Sequence, residues 1–302
     1  MTFEIHICTK NRREELRKSL LALKNRERSD ARILVYDDGS TDGTGQMLQQ
    51  DFPELTVLTN TVSRGYLYCR NQLLSQAQSE YVITLDDDAS FASENPLEEI
   101  KTFFDANPRC GLMAFRIYWS TEQPESTLHS DKPRRARGFV GCGHAWRVSA
   151  WKEVCPYPEW FEFYGEETYA SLKLFSRNWE IWYAPQILVH HRVNRTVRRK
   201  ASDFALRYRR SLRADWFLYF MYYPLPVAFR LFSYSLAMQA RKIVSRPQLI
   251  PPVLRALCDL CCNWHRVKKF RNPLCRDSIK AYRELIPAPI HWNPEPFGNK
   301  LT

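Results

Sequence analysis

Tyr81-Val82-Ile83-Thr84-Leu85, followed at once by Asp86-Asp87-Asp88, reads as a short buried strand ending in three adjacent carboxylates. Neighbouring negative charges repel, and a strand tip packed against other elements gives them little water, so a divalent cation is their natural partner. A solvated loop or a helix cap would use the same residue type. A second acidic turn, Asp37-Asp38-Gly39-Ser40-Thr41-Asp42-Gly43-Thr44, weakens that alternative because it also follows a strand-like run, residues 31–36.

Outward from these turns, two periods alternate. Strand-like runs lie at residues 3–8, 31–36, 55–58, 81–85 and 111–117, separated by stretches with helical spacing such as Leu16, Leu20 and Leu23, then Leu73, Leu74 and Ala77. Strand and helix in alternation predict an α/β fold with a mostly parallel sheet flanked by helices. In such sheets ligands bind beyond the carboxyl ends of the strands. Both acidic turns therefore open onto one edge, where a metal and a phosphorylated ligand are expected.

The chain has 302 residues, enough for one large domain or a domain with an appendage. With 44 Lys+Arg against 33 Asp+Glu the formal charge is +11, which suits nucleic acid, an anionic membrane or a phosphorylated substrate without choosing among them. The start, Met1 to His6, enters a strand at once and lacks a secretory pattern, so a cytoplasmic location is expected. Nine cysteines without framework spacing fit reduced thiols.

Five motifs occur in a telling order: Cys8-Thr9-Lys10-Asn11-Arg12, Tyr36 to Gly43, Arg64-Gly65 through Arg70-Asn71, Leu85 to Asp88, and Phe163-Tyr164-Gly165-Glu166-Glu167. Together they resemble the family two glycosyltransferases over about residues 3–195. The resemblance implies a GT-A, Rossmann-like domain over residues 1–200, with a nucleotide-binding half to about 115 and an acceptor half over 116–200. A C-terminal helical region would follow over 201–302. It also implies an inverting transferase that moves a sugar from a UDP- or dTDP-sugar to a saccharide or lipid-linked acceptor, in polysaccharide biosynthesis, with Mn²⁺ or Mg²⁺ as cofactor.

By this resemblance Asp86 lies near the ribose and metal, Asp88 ligates the metal, and Asp87 is structural. Asp38, supported by Asp37, reads the imide edge of the base, which suits an acceptor-only carboxylate. Thr9 and Arg70 sit beside the base and diphosphate. The general base falls in the pair Glu166-Glu167; Glu167 aligns with the usual position, and the choice between them stays open. A strand ending in His190-His191-Arg192 supplies an imidazole near the metal, His191 fitting best and His190 second, which leans toward manganese. Gly141, Gly143 and Trp146 are expected to contact sugar and acceptor, and residues 119–137 to form a mobile loop serving as a lid.

The composition changes after about residue 200: basic positions crowd Arg192, Arg195, Arg198, Arg199, Lys200, Arg207, Arg209, Arg210 and Arg213, followed by the aromatic run Trp216 to Phe229. One reading is a peripheral interface with the inner face of an anionic membrane. The other is a helical subdomain packed on the catalytic domain. Cys258, Cys261, Cys262 and His265 lack conventional zinc spacing and receive no metal assignment. The proline-rich tail from Ile286 through Pro296 is expected to run extended over the surface. Two rival functions are a nucleotidyltransferase resembling sugar-nucleotide pyrophosphorylases and a non-catalytic basic protein binding membrane or nucleic acid. The first lacks a glycine-rich phosphate loop here, and the second leaves the ordered carboxylates unexplained; nucleic acid is not an expected partner.

Overall fold

In a computed structural model the described residues are 2–26, 31–154, 156–194 and 202–294. Strand β1 (Phe3–Thr9) is buried along its whole length, the pattern of a parallel strand covered on both faces. It pairs in parallel with β2 (Ala31–Asp37) and β4 (Tyr81–Asp86), and β2 pairs in parallel with β3 (Thr56–Thr59). Cys8 stands opposite both Tyr36 and Asp86, so the strands finish at one level. Helices α1 (Arg13–Arg26), α2 (Thr44–Asp51) and α3 (Tyr66–Ser75) connect these strands. Leu16, Leu20 and Leu23 of α1 are all buried, as their spacing predicts.

Beyond β4 the sheet becomes mixed. Strand β5 (Ala89–Phe91) leaves the acidic triplet, helix α4 (Pro96–Ala106) follows, and β6 (Cys110–Trp119), β7 (Arg134–Arg135), β8 (Gly143–Arg147) and β9 (Glu180–His191) complete the order β3-β2-β1-β4-β8-β6-β9-β5, with β7 on β9. The register of β9 against β6 jumps from Phe115↔Ala184 to Arg116↔Leu188. Pro185, which has no N–H to give the ladder, lies in that bulge. Beyond it β9 runs antiparallel to β5, setting His191 opposite Ala89 and directing the Arg192 amide to the Asp88 carbonyl at 2.9 Å. A bulge and a short hairpin-like pairing thus bring the end of β9 to the acidic triplet.

Helices α5 (Val148–Val154) and α6 (Glu166–Ser176) cover the second half of the sheet, and α7 (Phe204–Tyr222), α8 (Leu225–Ser245), α9 (Ile250–Cys262), α10 (Trp264–Lys269) and α11 (Arg276–Glu284) form the C-terminal region. Pro224 separates α7 from α8. Trp216, Phe217 and Phe220 are buried in one apolar cluster with Trp146, Trp151, Phe161 and Tyr169. The α7 part of the aromatic run therefore packs on the catalytic domain and does not face lipid, whereas Leu225 and Phe229 at the end of the run stay exposed; burial of each ring in the α7 part contributes about 1.5–3 kcal/mol. Arg195, Arg198, Arg199, Lys200 and Pro296 lie outside the described residues. Among the described residues, no helix is long and apolar enough to cross a membrane.

The extended tail is observed: the Trp292 amide donates to the Ile117 carbonyl at 2.7 Å and its ring lies 4.2 Å from the Arg116 guanidinium. The stretch expected to act as a lid lies away from the main cleft in this structure. Arg116 donates to the Thr127 carbonyl at 2.7 Å, Tyr183 to Asp131 at 3.1 Å, and none of residues 119–137 lines the main cleft.

Candidate active site

The carboxyl ends of β1, β2, β4 and β9 open into a cleft of about 810 Å³ lined by Thr9, Asp38, the acidic triplet, Tyr66 and His191, with Arg207 and Arg210 contributed by α7. On its floor Asp88 Oδ1 lies 2.9 Å from His191 Nε2, and Asp86 Oδ2 lies 4.0 Å from the same nitrogen. One ligand atom from each of the three falls within 4.8 Å of the others. Two carboxylates and an imidazole form a donor set that fits Mn²⁺. Burial disfavours the imidazolium, but the Cys142 sulfur and the Asp88 carboxylate outweigh it and push His191 up to about 11. His190 alternates to the other side of the strand, where Nε2 lies 2.8 Å from the Ser120 carbonyl, so the second choice for the imidazole is excluded.

The middle residue of the triplet, which also lines the cleft, is tied to its neighbours. Asp87 accepts from Thr9 Oγ1 and from Arg12 Nε, each at 2.8 Å, and its carbonyl accepts from Ser19 at 2.8 Å. Arg12 also pairs with Asp88. One guanidinium thus screens two of the adjacent carboxylates, a role that the sequence reading left unassigned although Arg12 stands within the first motif.

Asp38 is engaged by the loop after β3. Its carboxylate accepts from Asn60 Nδ2 (2.7 Å), Ser63 Oγ (2.6 Å) and the amides of Arg64 (2.7 Å) and Gly65 (2.9 Å). Burial would raise its pKa, and these bonds hold it below the ordinary value. Asp37, fully inside, accepts from the Ser40 amide at 2.9 Å and shapes the turn. Thr9 does line the cleft. Arg70 does not: it is buried, donates to Asp86 Oδ1 at 3.0 Å and to the Leu85 carbonyl at 3.3 Å, and lies 4.9 Å from the Tyr66 ring. In this structure it fixes Asp86 from below, and the expectation of direct contact with base and diphosphate is corrected accordingly.

The pair Glu166-Glu167 opens α6 behind a left-handed Gly165 at φ 88°. Glu166 is buried with Oε2 unpaired among the described residues. Glu167 turns toward Gly141, where a Cβ would meet its Oε1 at 2.8 Å. Burial raises both carboxyls, and the charge of Glu167 adds to the shift of Glu166. The other two expected substrate contacts are internal. Gly143 is packed where a Cβ would meet Ile117 and Val189 at 3.1 Å, and Trp146 is wholly buried against Phe139 and Trp151. Neither lines the main cleft; both are packed within the β8 region.

The loop leading into α6 is held from the C-terminal region. Glu162 and Tyr164 have left-handed backbones, φ 64° and 72°, each a strain of about 1–3 kcal/mol. Glu162 pairs with Arg210 at 3.0 Å and with the buried Arg213 at 3.1 Å, while Arg213 donates to the Phe161 carbonyl at 2.6 Å and reaches Asp259 at 3.5 Å. A Cβ on Gly165 would meet Ala214 at 2.7 Å, so α7 lies directly against the loop. Arg207 and Arg210 were visible in the sequence only as part of a basic crowd; their i, i+3 spacing sets both on the cleft side of α7.

The late cysteines make no metal group: Cys258, Cys261, Cys262 and Cys275 are exposed, and the trio Asp86, Asp88 and His191 is the one such cluster among the described residues.

The sequence profile described as glycosyl transferase family 2 matches residues 4–159. The uncharacterized glycosyltransferase YfnE of Bacillus subtilis is 36% identical over 124 residues, covering 39% of this chain and 31% of that protein. Among solved structures, a mannosyltransferase from Pyrobaculum calidifontis, determined with GDP-Man and Mn²⁺, aligns with TM-score 0.54 at 17% identity over 86% of this chain and 75% of its own. TarS of S. aureus aligns with TM-score 0.53 at 18% identity over 69% of this chain and 38% of its own. At these identities the structural likeness concerns the fold, which is GT-A. The matched stretch spans about a third of YfnE.

Proposed function

Because the chain belongs to glycosyl transferase family 2 and is a glycosyltransferase, we propose that it transfers a sugar, with inversion, from a UDP- or dTDP-sugar to a hydroxyl of a saccharide or lipid-linked acceptor. Family membership sets aside the nucleotidyltransferase and the non-catalytic binder. The observation that carries the reading is the meeting of Asp86, Asp88 and His191 on the floor of the cleft. A divalent cation held by these three, Mn²⁺ as in the P. calidifontis complex, would neutralise the diphosphate as it leaves.

The chain's own residues do the rest. Thr9 and the loop ordered by Asp38 form the wall on which the base would rest, and Arg64, stacked 3.6 Å from the Tyr68 ring, borders it. Asp38 reads the base imide in this proposal by exchanging one of its loop donors for the ring N–H. Arg70 holds Asp86 in place. Arg207 and Arg210 present cations across the cleft, where a diphosphate would pass. Glu167 takes the acceptor proton as the hydroxyl oxygen attacks the anomeric carbon; burial, with the charge of Asp86 adding to it, keeps this carboxylate basic. A raised carboxyl pKa suits a base working near neutrality. Action on a lipid-linked acceptor would fit a site at the inner face of the cell membrane.

Isothermal titration with UDP, dTDP and GDP, with and without Mn²⁺, tests the proposal. Binding of a uracil or thymine nucleotide should require Mn²⁺ and vanish in Asp88→Asn. Unchanged metal-dependent affinity in folded Asp88→Asn protein would overturn the metal assignment, and preference for GDP would overturn the base assignment.

A further inference from the structure

A second cleft, of about 590 Å³, lies between the start of α8 and one face of α11. Arg276, Lys280 and Arg283 recur at helical spacing along α11, and Arg230 faces them from α8; Glu284 is the single carboxylate in the lining. All four cations are exposed, and none forms an ion pair among the described residues. Between them the floor is apolar, made by Pro226, Val227 and Ile279. Two large apolar side chains stand in solvent on the same turns of α8: Leu225 at 47% and Phe229 at 54% exposure.

Cations free of carboxylate partners around an apolar floor, with Arg283 5.6 Å from the Tyr223 ring, beside an exposed leucine and phenylalanine, match one kind of ligand. The cations attract a phosphate, and the apolar side chains gain nothing from a phosphate in water. At an anionic bilayer both halves are satisfied at once, the phosphate in the cleft and the side chains at the acyl boundary. We infer that this cleft binds the headgroup of an anionic phospholipid and docks the protein on a membrane through the first turns of α8. The surface is distinct from the buried aromatic run of α7, and the inference goes beyond the donor chemistry proposed above.

Vesicle flotation of the full chain tests it, using phosphatidylcholine alone and with about one third phosphatidylglycerol. Binding should require phosphatidylglycerol. Lys280→Glu with Arg283→Glu should weaken it by at least about tenfold, whereas the equal charge change Lys101→Glu with Lys152→Glu, at exposed positions elsewhere, should weaken it far less. Leu225→Ser with Phe229→Ser should weaken it several-fold and make the remainder more sensitive to salt. Unaltered nucleotide titration and melting would show that each variant is folded, and keep this test separate from the fate of the transferase reading. Equal loss in the two charge-reversal pairs would overturn the inference in favour of diffuse attraction. So would binding to neutral vesicles, indifference to the Leu225 and Phe229 changes, or saturable capture of glycerol phosphate by a protein that does not float with vesicles of either composition, which would mark a site for a soluble phosphate.

Discussion

Gly141→Ala isolates the position of the proposed base from its chemistry. The glycine backbone there has an ordinary φ, so alanine is tolerated locally; the obstacle is Glu167, whose Oε1 lies 2.8 Å from the added Cβ. Carbon and carboxylate oxygen normally rest about 3.3 Å apart, so the carboxylate must retreat by about 0.5 Å. It is the end of a flexible side chain, and melting should change by less than about 1 kcal/mol. Catalytic groups are held to about 0.5 Å, and a displacement of about 1 Å costs about 10²-fold, so turnover should fall about tenfold, near 1.4 kcal/mol of barrier, with the donor KM unchanged. The assay is nucleoside diphosphate release at saturating sugar nucleotide. Gly143→Ala is the control: its Cβ meets Ile117 and Val189 at 3.1 Å inside the packed sheet, and it should lose about 1–3 kcal/mol of stability while its folded fraction turns over normally. Glu167→Gln should lose about 10²–10⁴-fold. If Glu167→Gln is crippled and Gly141→Ala keeps full turnover, the placement of the carboxylate against Gly141 is irrelevant to catalysis; if Glu167→Gln is itself normal, the base assignment fails.

Two further outcomes follow from buried charge. Glu166 titrates above its ordinary value of 4.5, so the folded state binds its proton more tightly than the unfolded chain; the resulting penalty is absent below pH 4.5 and grows as pH rises toward the folded pKa. Glu166→Gln should therefore melt higher than the unmodified protein near pH 8 and equally near pH 4, and an equal difference at both would remove titration as the cause. Arg213→Ala strips the buried cation that Glu162, the Phe161 carbonyl and Asp259 share, and should cost about 1.5–3 kcal/mol in chemical denaturation, because Glu162 is half exposed and Asp259 keeps Arg209; a loss below about 1 kcal/mol would show that the loop before α6 holds its left-handed turns unaided.

Most of the sheet and the metal trio were legible because both are written in local order. A buried run followed by Asp86-Asp87-Asp88, and a second followed by Asp37-Asp38, announce strand tips, and parallel pairing gathers strand tips at one edge. His191 was legible from its motif, though only the bulge at Pro185 explains how it reaches Asp88. What escaped depends on which surface meets which. Trp216, Phe217 and Phe220 beside a basic cluster look the same in sequence whether they face a bilayer or Trp151 and Phe161. Trp146 and Gly143 carry no mark of lying inside the sheet. Arg70 sits in a short helix that also buries Leu67, Cys69, Asn71, Leu73 and Leu74, so spacing alone does not show that it turns to Asp86 and Tyr66.

The grip of Arg210 and Arg213 on Glu162 bears on how this enzyme could be divided. A cut near residue 200, where sequence motifs would end the catalytic unit, removes two cations from the cleft wall, releases the strained turn that leads into Glu166-Glu167, and bares the surface that Trp216 and Phe217 cover. Exchange of donor or acceptor preference with a relative is better attempted by grafting the loop after β3 or the cleft side of α7 than by swapping halves, because α7 walls the cleft whose floor the sheet provides.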